Sequence, residues 1–278
     1  MSRKYLFVLT LIVISILLVH IHYAILSIGH CMMNQESTPM IYKVILMNDR
    51  QSFYKLATFD GRKPYADGNR AQATVIKHLR LVKRCQNDSS LIVVDVGAYL
   101  GNYLCFVITK KARFSSGDFG LYAAACGCQV YIFEVQPSMI DIIQSSIISN
   151  KFPSSRVHVI NKAASDLPSN SSMKFSLARG STTAQNGSLT LTTIRLDDVQ
   201  WPPKSKILLL KIDVESFELN VLRSAERLFH EQRIEHVIFE YTAFWTDRAA
   251  QQELLPYVIN NLHPKQRCLW TFNTRDTR

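Results

Sequence analysis

Leu91-Ile92-Val93-Val94-Asp95-Val96-Gly97-Ala98-Tyr99-Leu100-Gly101 is the stretch on which the fold turns. A β-branched apolar run ends in Asp-Val-Gly, and a second glycine follows four residues after the first. Continuous apolar strands of this kind are those buried on both faces, as in parallel sheets. A glycine after the strand tolerates φ > 0 and has no Cβ, so backbone can approach a ligand closely. In open α/β sheets that ligand lies at the carboxyl end of the strand.

Downstream of this stretch, strand and helix patterns alternate. Strands are expected at Gln129 to Glu134, Arg156 to Ile160, Ile207 to Asp213 and His236 to Glu240. Amphipathic helices are expected at Ser138 to Asn150, behind Pro137, at Glu218 to His230 and at Ala249 to Leu262. This alternation predicts an α/β fold, a mainly parallel sheet with helices on both faces. Ser188 to Ile194 alternates polar and apolar residues and reads as an extra edge strand or hairpin arm. Asp166 to Ser172 reads as a loop, Trp201-Pro202-Pro203 as a rigid connector and Cys268 to Phe272 as a last strand. Three strands carry a carboxylate at or near their ends, Asp95, Glu134 and Asp213. An unpaired buried charge is costly, so acids there are poor core residues and good site residues.

Upstream, Arg3 and Lys4 precede a nearly unbroken apolar stretch from Leu6 to Gly29. About 20 such residues cross a bilayer, and the segment exceeds the apolar core of an ordinary cleaved signal. We expect a single signal-anchor transmembrane helix with the N-terminus cytosolic and the remainder lumenal, in the endoplasmic reticulum or Golgi, or secreted if the segment is cleaved. Asn-X-Ser sequons at Asn87, Asn170 and Asn186 agree with a lumenal glycoprotein. Residues 31–90 are weakly patterned and read as a stem and cap, with one helix from Ala71 to Arg84. The domain plan is therefore 1–30 tip and anchor, 31–90 stem and cap, and 91–278 the α/β domain.

The net charge of +10 and pI near 9.4 suit anionic partners. The basic cluster Lys77 to Arg84, however, alternates charged with apolar residues and reads as the solvated face of a helix. The six cysteines define neither a disulfide framework nor a zinc site, and most read as small buried residues.

Asp95-X-Gly97-X-X-X-Gly101 lacks the third glycine of a nicotinamide-type turn. Glu134, ending the second strand, can accept the ribose hydroxyls of a nucleoside cofactor, or else cap the helix that follows. Six motifs then occur in order. They are Val94-Asp95-Val96-Gly97-Ala98, Phe133-Glu134-Val135-Gln136-Pro137, Ala163-Ala164-Ser165-Asp166, Leu196-Asp197-Asp198, Leu210-Lys211-Ile212-Asp213-Val214-Glu215 and Phe239-Glu240. This series resembles the FkbM-type S-adenosylmethionine-dependent methyltransferases, mostly O-methyltransferases of sugars and natural products, over about residues 91–245.

The resemblance implies a class I, Rossmann-like methyltransferase domain that O-methylates a glycan or small-molecule hydroxyl. It implies that Asp95, Gly97, Ala98 and Gly101 hold the methionine end of S-adenosylmethionine. It places Glu134 on the ribose, and Ala164, Ser165 and Asp166 at the adenine edge. Asp213 and Glu215 line the transfer pocket. Asp213 is the first candidate for the general base, with Glu215 and Glu240 next. A divalent metal is compatible with paired carboxylates but is not expected. No nucleic-acid partner is expected either, because the Asn/Asp-Pro-Pro-Tyr/Phe turn of amino-group methyltransferases is absent after the fourth strand.

Two departures from the family pattern stand out. Ser216 replaces a glycine, and residues 102–117 separate Gly101 from Asp118-Phe119-Gly120-Leu121-Tyr122, where the pattern runs from turn straight into helix. We read 102–117 as an insertion or a retained short intron. Together these departures define the alternative, a non-catalytic lumenal binding protein on a decayed methyltransferase fold.

Overall fold

The computed structural model describes residues 43–47, 52, 54–58, 76–98, 118–178, 181–184, 187–214, 217–239, 241 and 249–262. The expected transmembrane segment, Tyr99 to Gly117, Asn186, Glu215, Ser216, Glu240 and the strand at 268–272 lie outside the described residues. No described helix is long and apolar enough to cross a membrane.

The quoted stretch forms β3 (Ile92–Val96), buried at every position. It is the central strand of a five-stranded, wholly parallel sheet. Its neighbours are β4 (Gln129–Phe133), β5 (Val157–Ile160), β10 (Ile207–Ile212) and β11 (Val237–Phe239), in the order β11-β10-β3-β4-β5. All five expected strands are present within a residue or two of their expected ends, and the mainly parallel α/β architecture stands as expected.

Because side chains alternate along a strand, β3 feeds two cores. Val93 joins one cluster with Phe119, Leu121 and Tyr122 of α2 (Asp118–Cys126) and Ile143 of α3 (Pro137–Asn150). Ile92, Val94 and Val96 join the opposite cluster with Leu219 and Leu222 of α4 (Glu218–Arg223) and Leu254 and Val258 of α6 (Ala249–Asn261). Both faces are thus covered, as a parallel sheet requires.

Several local expectations change. The helix expected at 218–230 is two pieces, α4 and α5 (Glu226–His230). The Ser224 carbonyl accepts the Asp197 N–H at 2.9 Å, and the Asp197 carboxylate accepts the N–H groups of Arg227 and Leu228, both at 3.0 Å. The ladder is diverted to an outside partner and a new helix starts there. The helix expected from Ala71 to Arg84 is broken at Arg80, which adopts φ 49°, and α1 runs from Leu81 to Asn87. Lys77, His78, Arg80 and Lys83 of the basic cluster are exposed while Leu79, Leu81 and Val82 are buried, as its spacing requires.

The polar-apolar segment is β9 (Leu189–Ile194). It is not at an edge, since it lies between β6 (Ala163–Ala164) and β7 (Ser172–Ala178) in a second sheet of order β6-β9-β7-β8, with β8 at Ser181–Ala184. The weakly patterned stem contains an antiparallel pair, β1 (Lys43–Met47) and β2 (Tyr54–Thr58). Met47, Tyr54 and Leu56 enter the α2-side core. Asn150 of α3 accepts the Lys55 N–H and donates to the Lys55 carbonyl, both at 2.6 Å.

Cys85 and Cys128 form a disulfide joining α1 to the strand start at β4, while Cys126 is free and buried. The partners are separated by 43 positions, so their spacing in the chain held no hint of the pairing.

Candidate functional site

The carboxyl ends of β3, β4 and β10 converge on a group of charges in contact with the Gly97 turn. Asp95 and Lys211 are register partners on adjacent parallel strands, so their side chains share one face of the sheet. Lys211 Nζ lies 3.0 Å from Asp95 Oδ1 and 3.7 Å from Asp213 Oδ2, and it donates to the Gly97 carbonyl at 2.8 Å. The contact with Asp95 Oδ1 is an ion pair without hydrogen-bond alignment. Burial opposes the Lys211 charge, but Asp95 and Asp213 outweigh it and hold the ammonium above its ordinary range.

Asp95 is 1 % exposed. Its other oxygen accepts the Gly120 N–H at 3.0 Å, so it also anchors the first turn of α2. The helix beginning at Asp118 is therefore tied to the acid that precedes the glycine turn, although sixteen residues at 102–117 intervene in the chain.

Gly97 has φ +76°, and a Cβ built there would come 1.9 Å from the Asp213 carbonyl oxygen. No other residue fits. The close approach that demands glycine is therefore made by β10's own chain, whereas the sequence alone suggested a ligand as the reason. Two hydrogen bonds complete this seam, Gly97 N–H to the Phe133 carbonyl and Asp213 N–H to the Val96 carbonyl, each 3.0 Å. Ala98 beside it is buried.

Glu134 follows β4 and is 2 % exposed. Oε1 accepts the Gln136 N–H at 2.8 Å, at the start of α3. Oε2 is buried and accepts no hydrogen bond among the described residues. The capping reading is met by Oε1 alone. Burial pushes the Glu134 carboxyl up to about 7, against the pull of backbone N–H groups and Lys211. An orphaned, buried acceptor of this kind is rare in folded proteins and calls for an explanation such as an absent ligand.

Ala164 ends β6, and the segment after it is braced by groups that sequence reading missed. Asn161 donates to the Glu134 carbonyl at 2.8 Å, Asn220 of α4 donates to Asp166 Oδ1 at 2.9 Å, and Arg195 donates to the Asp166 carbonyl at 2.7 Å. Ser165 is buried and accepts the Leu167 N–H at 3.3 Å. The Asp213 side chain is about one-third exposed, whereas Asp95 and Glu134 are almost fully buried. Gly101, Glu215 and Glu240 lie outside the described residues. Among the described residues no group of three or more His, Cys, Asp or Glu side chains could hold a metal.

A cavity of about 380 Å³ opens elsewhere, lined by Asp197, Asp198, Trp201, Arg227 and Arg233 among others. Its charged groups are committed to the chain itself. Arg227 donates to the Asp197 carbonyl, and Arg233 donates to Pro202 and Ser205. We do not regard it as the site, because nothing polar in it lacks a partner comparable to Glu134 Oε2.

Residues 95–267 match the Methyltransferase FkbM domain, Methyltransf_21. With that match covering well over half its length, the chain belongs to the FkbM methyltransferase family. No curated protein matches it. Among solved structures it is similar to the methyltransferase FkbM from Methylobacillus flagellatus KT, at 17% identity and a TM-score of 0.40, over 62% of this chain and 37% of that one. Family membership rests on the domain match.

Proposed function

We propose that this domain binds S-adenosylmethionine at the carboxyl ends of β3, β4 and β10 and methylates a hydroxyl of a glycan or small molecule. The observation that carries the proposal is Glu134 Oε2, a fully buried acceptor without a hydrogen-bond partner among the described residues, at the strand end where a nucleoside cofactor presents its ribose. Asp95, Gly97 and Ala98, with Gly101, would form the wall at the methionine end, and Ala164 to Asp166 the adenine edge. S-adenosylmethionine, when bound, supplies an electrophilic methyl group on a positively charged sulfur. The acids at these strand ends favour that charge. Asp213, accessible and at the rim, is the residue we assign to take the acceptor's proton, with Glu215 and Glu240 as the other candidates. No metal and no nucleic acid enter this reading.

We further place the domain in the lumen behind an N-terminal signal anchor. Disulfides form and persist in oxidising compartments, and Cys85–Cys128 is one. The sequon residues Asn87 and Asn170 are both exposed, as acceptors of a glycan must be. A membrane-attached, glycan-rich compartment also suits a glycan acceptor.

The test is transfer of a labelled methyl group from S-adenosylmethionine to a panel of glycans by the full-length chain, with intact-mass measurement of the disulfide and attached glycans. Transfer that is lost in Asp213→Asn supports the assignment. Absence of cofactor binding at any pH would overturn it.

A further inference from the structure

Lys211 meets the Gly97 turn together with the acids of both flanking strands, Asp95 and Asp213. Its ammonium has three N–H donors and no acceptor. They face the Gly97 carbonyl at 2.8 Å, Asp95 at 3.0 Å and Asp213 at 3.7 Å. Through Asp95 the same group is linked to the first turn of α2, because the other Asp95 oxygen holds the Gly120 N–H. The side chain is 10 % exposed, too enclosed to meet an acceptor substrate. As a protonated group with no lone pair it cannot serve as a base.

We infer that Lys211 is a positioning residue of the S-adenosylmethionine site. It clamps the glycine turn to the ends of β3 and β10 and sets a positive charge beside Asp95 and Asp213, in the same cluster as Glu134. This inference rests on the cofactor reading above.

The energetic reason is the balance of charge. Asp95 and Glu134 are both almost fully buried, and a carboxylate at Asp95 opposes the ionisation of Glu134 in this low-dielectric site. The groups facing Glu134 across the cluster act in opposite senses. Lys211 favours its carboxylate and Asp95 disfavours it, each less strongly than burial itself. Removing the cation leaves burial and the repulsion of Asp95 opposed at Glu134 by its backbone N–H donors alone. Glu134 would then hold its proton to higher pH, and a protonated carboxyl is a poorer acceptor for two hydroxyls. A residue that merely filled space would not have this effect.

The test is calorimetric titration of S-adenosylmethionine into the full-length chain across pH 6 to 9, for wild type and three variants. In wild type, affinity rises with pH through a midpoint near the Glu134 value of about 7. Lys211→Gln keeps an N–H donor for the Gly97 carbonyl, on a side chain one atom shorter, but removes the charge. It should bind at least about tenfold more weakly, with the midpoint moved upward by roughly one pH unit. Lys211→Arg keeps the cation and should keep the midpoint, whatever affinity its larger head loses. If Lys211→Gln does not fold, the same shift is read in Lys211→Gln with Asp213→Asn, which removes one uncompensated carboxylate. An unmoved midpoint in the folded charge-neutral variant overturns the inference and leaves the cofactor reading intact. A wild-type chain that binds no S-adenosylmethionine overturns both.

Discussion

Asp197 and Glu134 are both nearly buried acids, and both come from the ordered series of motifs that carried the family resemblance, yet they do different work. Each Asp197 oxygen is taken. Oδ1 accepts the Leu228 N–H, and Oδ2 accepts the Arg227 N–H and faces Arg195 at 3.7 Å. Glu134 has one oxygen on the Gln136 N–H and one with no hydrogen-bond partner among the described residues. The first acid starts a helix. The second leaves an acceptor facing the end of the sheet. Burial alone does not mark a site residue; what marks it is the buried capacity that the fold leaves unused.

The largest expected effect comes where fold and site cannot be separated. Gly97→Ala must either move the Asp213 carbonyl, 1.9 Å from the new Cβ, or abandon φ +76°. We expect a loss of more than about 3 kcal/mol, measured by urea unfolding, together with loss of cofactor binding. A variant of near wild-type stability that binds normally would show that the seam is looser than described.

The second comparison separates the two acids by pH. In the folded chain the Glu134 carboxyl titrates near 7, against an ordinary value of 4.5. A raised acid contributes stability that is fully present below about pH 4.5 and is lost as pH rises through 7. Glu134→Gln carries no such group. Its stability relative to wild type should therefore rise by about 3 kcal/mol between pH 4.5 and 8, taking a shift of roughly 2.5 units at 1.36 kcal/mol each. Thermal melts of both proteins over that window check this, and parallel curves would refute it.

The smallest effect belongs to the satisfied acid. Asp197→Ala removes the partner of two helix-start N–H groups and should cost about 1–2 kcal/mol while leaving S-adenosylmethionine affinity within twofold or so of wild type. A large loss of binding would collapse the distinction between the two acids.

The parallel sheet was legible because its strands are short apolar runs, with helical periodicity between them and acids at their ends. The candidate acids could be picked out for the same reason, since the residues after Val94 and Phe133 break an apolar pattern. What Asp95, Glu134 and Asp213 touch was not legible. Lys211 reads as a charged interruption of β10, and only the register that sets it beside Asp95 reveals its role. The β1–β2 pair was missed because Val44 and Leu46 are exposed while Met47 is buried, which blurs the alternation of a half-buried strand. The break between α4 and α5 depends on Asp197, about thirty residues away. The Cys85–Cys128 bond depends on how α1 lies against the start of β4, which no spacing encodes.

The most direct measurement is calorimetry of S-adenosylmethionine with wild type and Glu134→Gln near pH 6.5, in two buffers of different ionisation enthalpy. The account predicts saturable binding by wild type with release of a substantial fraction of a proton, as Glu134 ionises to accept the ribose hydroxyls. In Glu134→Gln the affinity should fall by about 10- to 100-fold, as for a lost hydrogen bond to a charged acceptor, and the proton release should disappear. Equal binding by the two proteins, or wild-type binding without proton release, would contradict it.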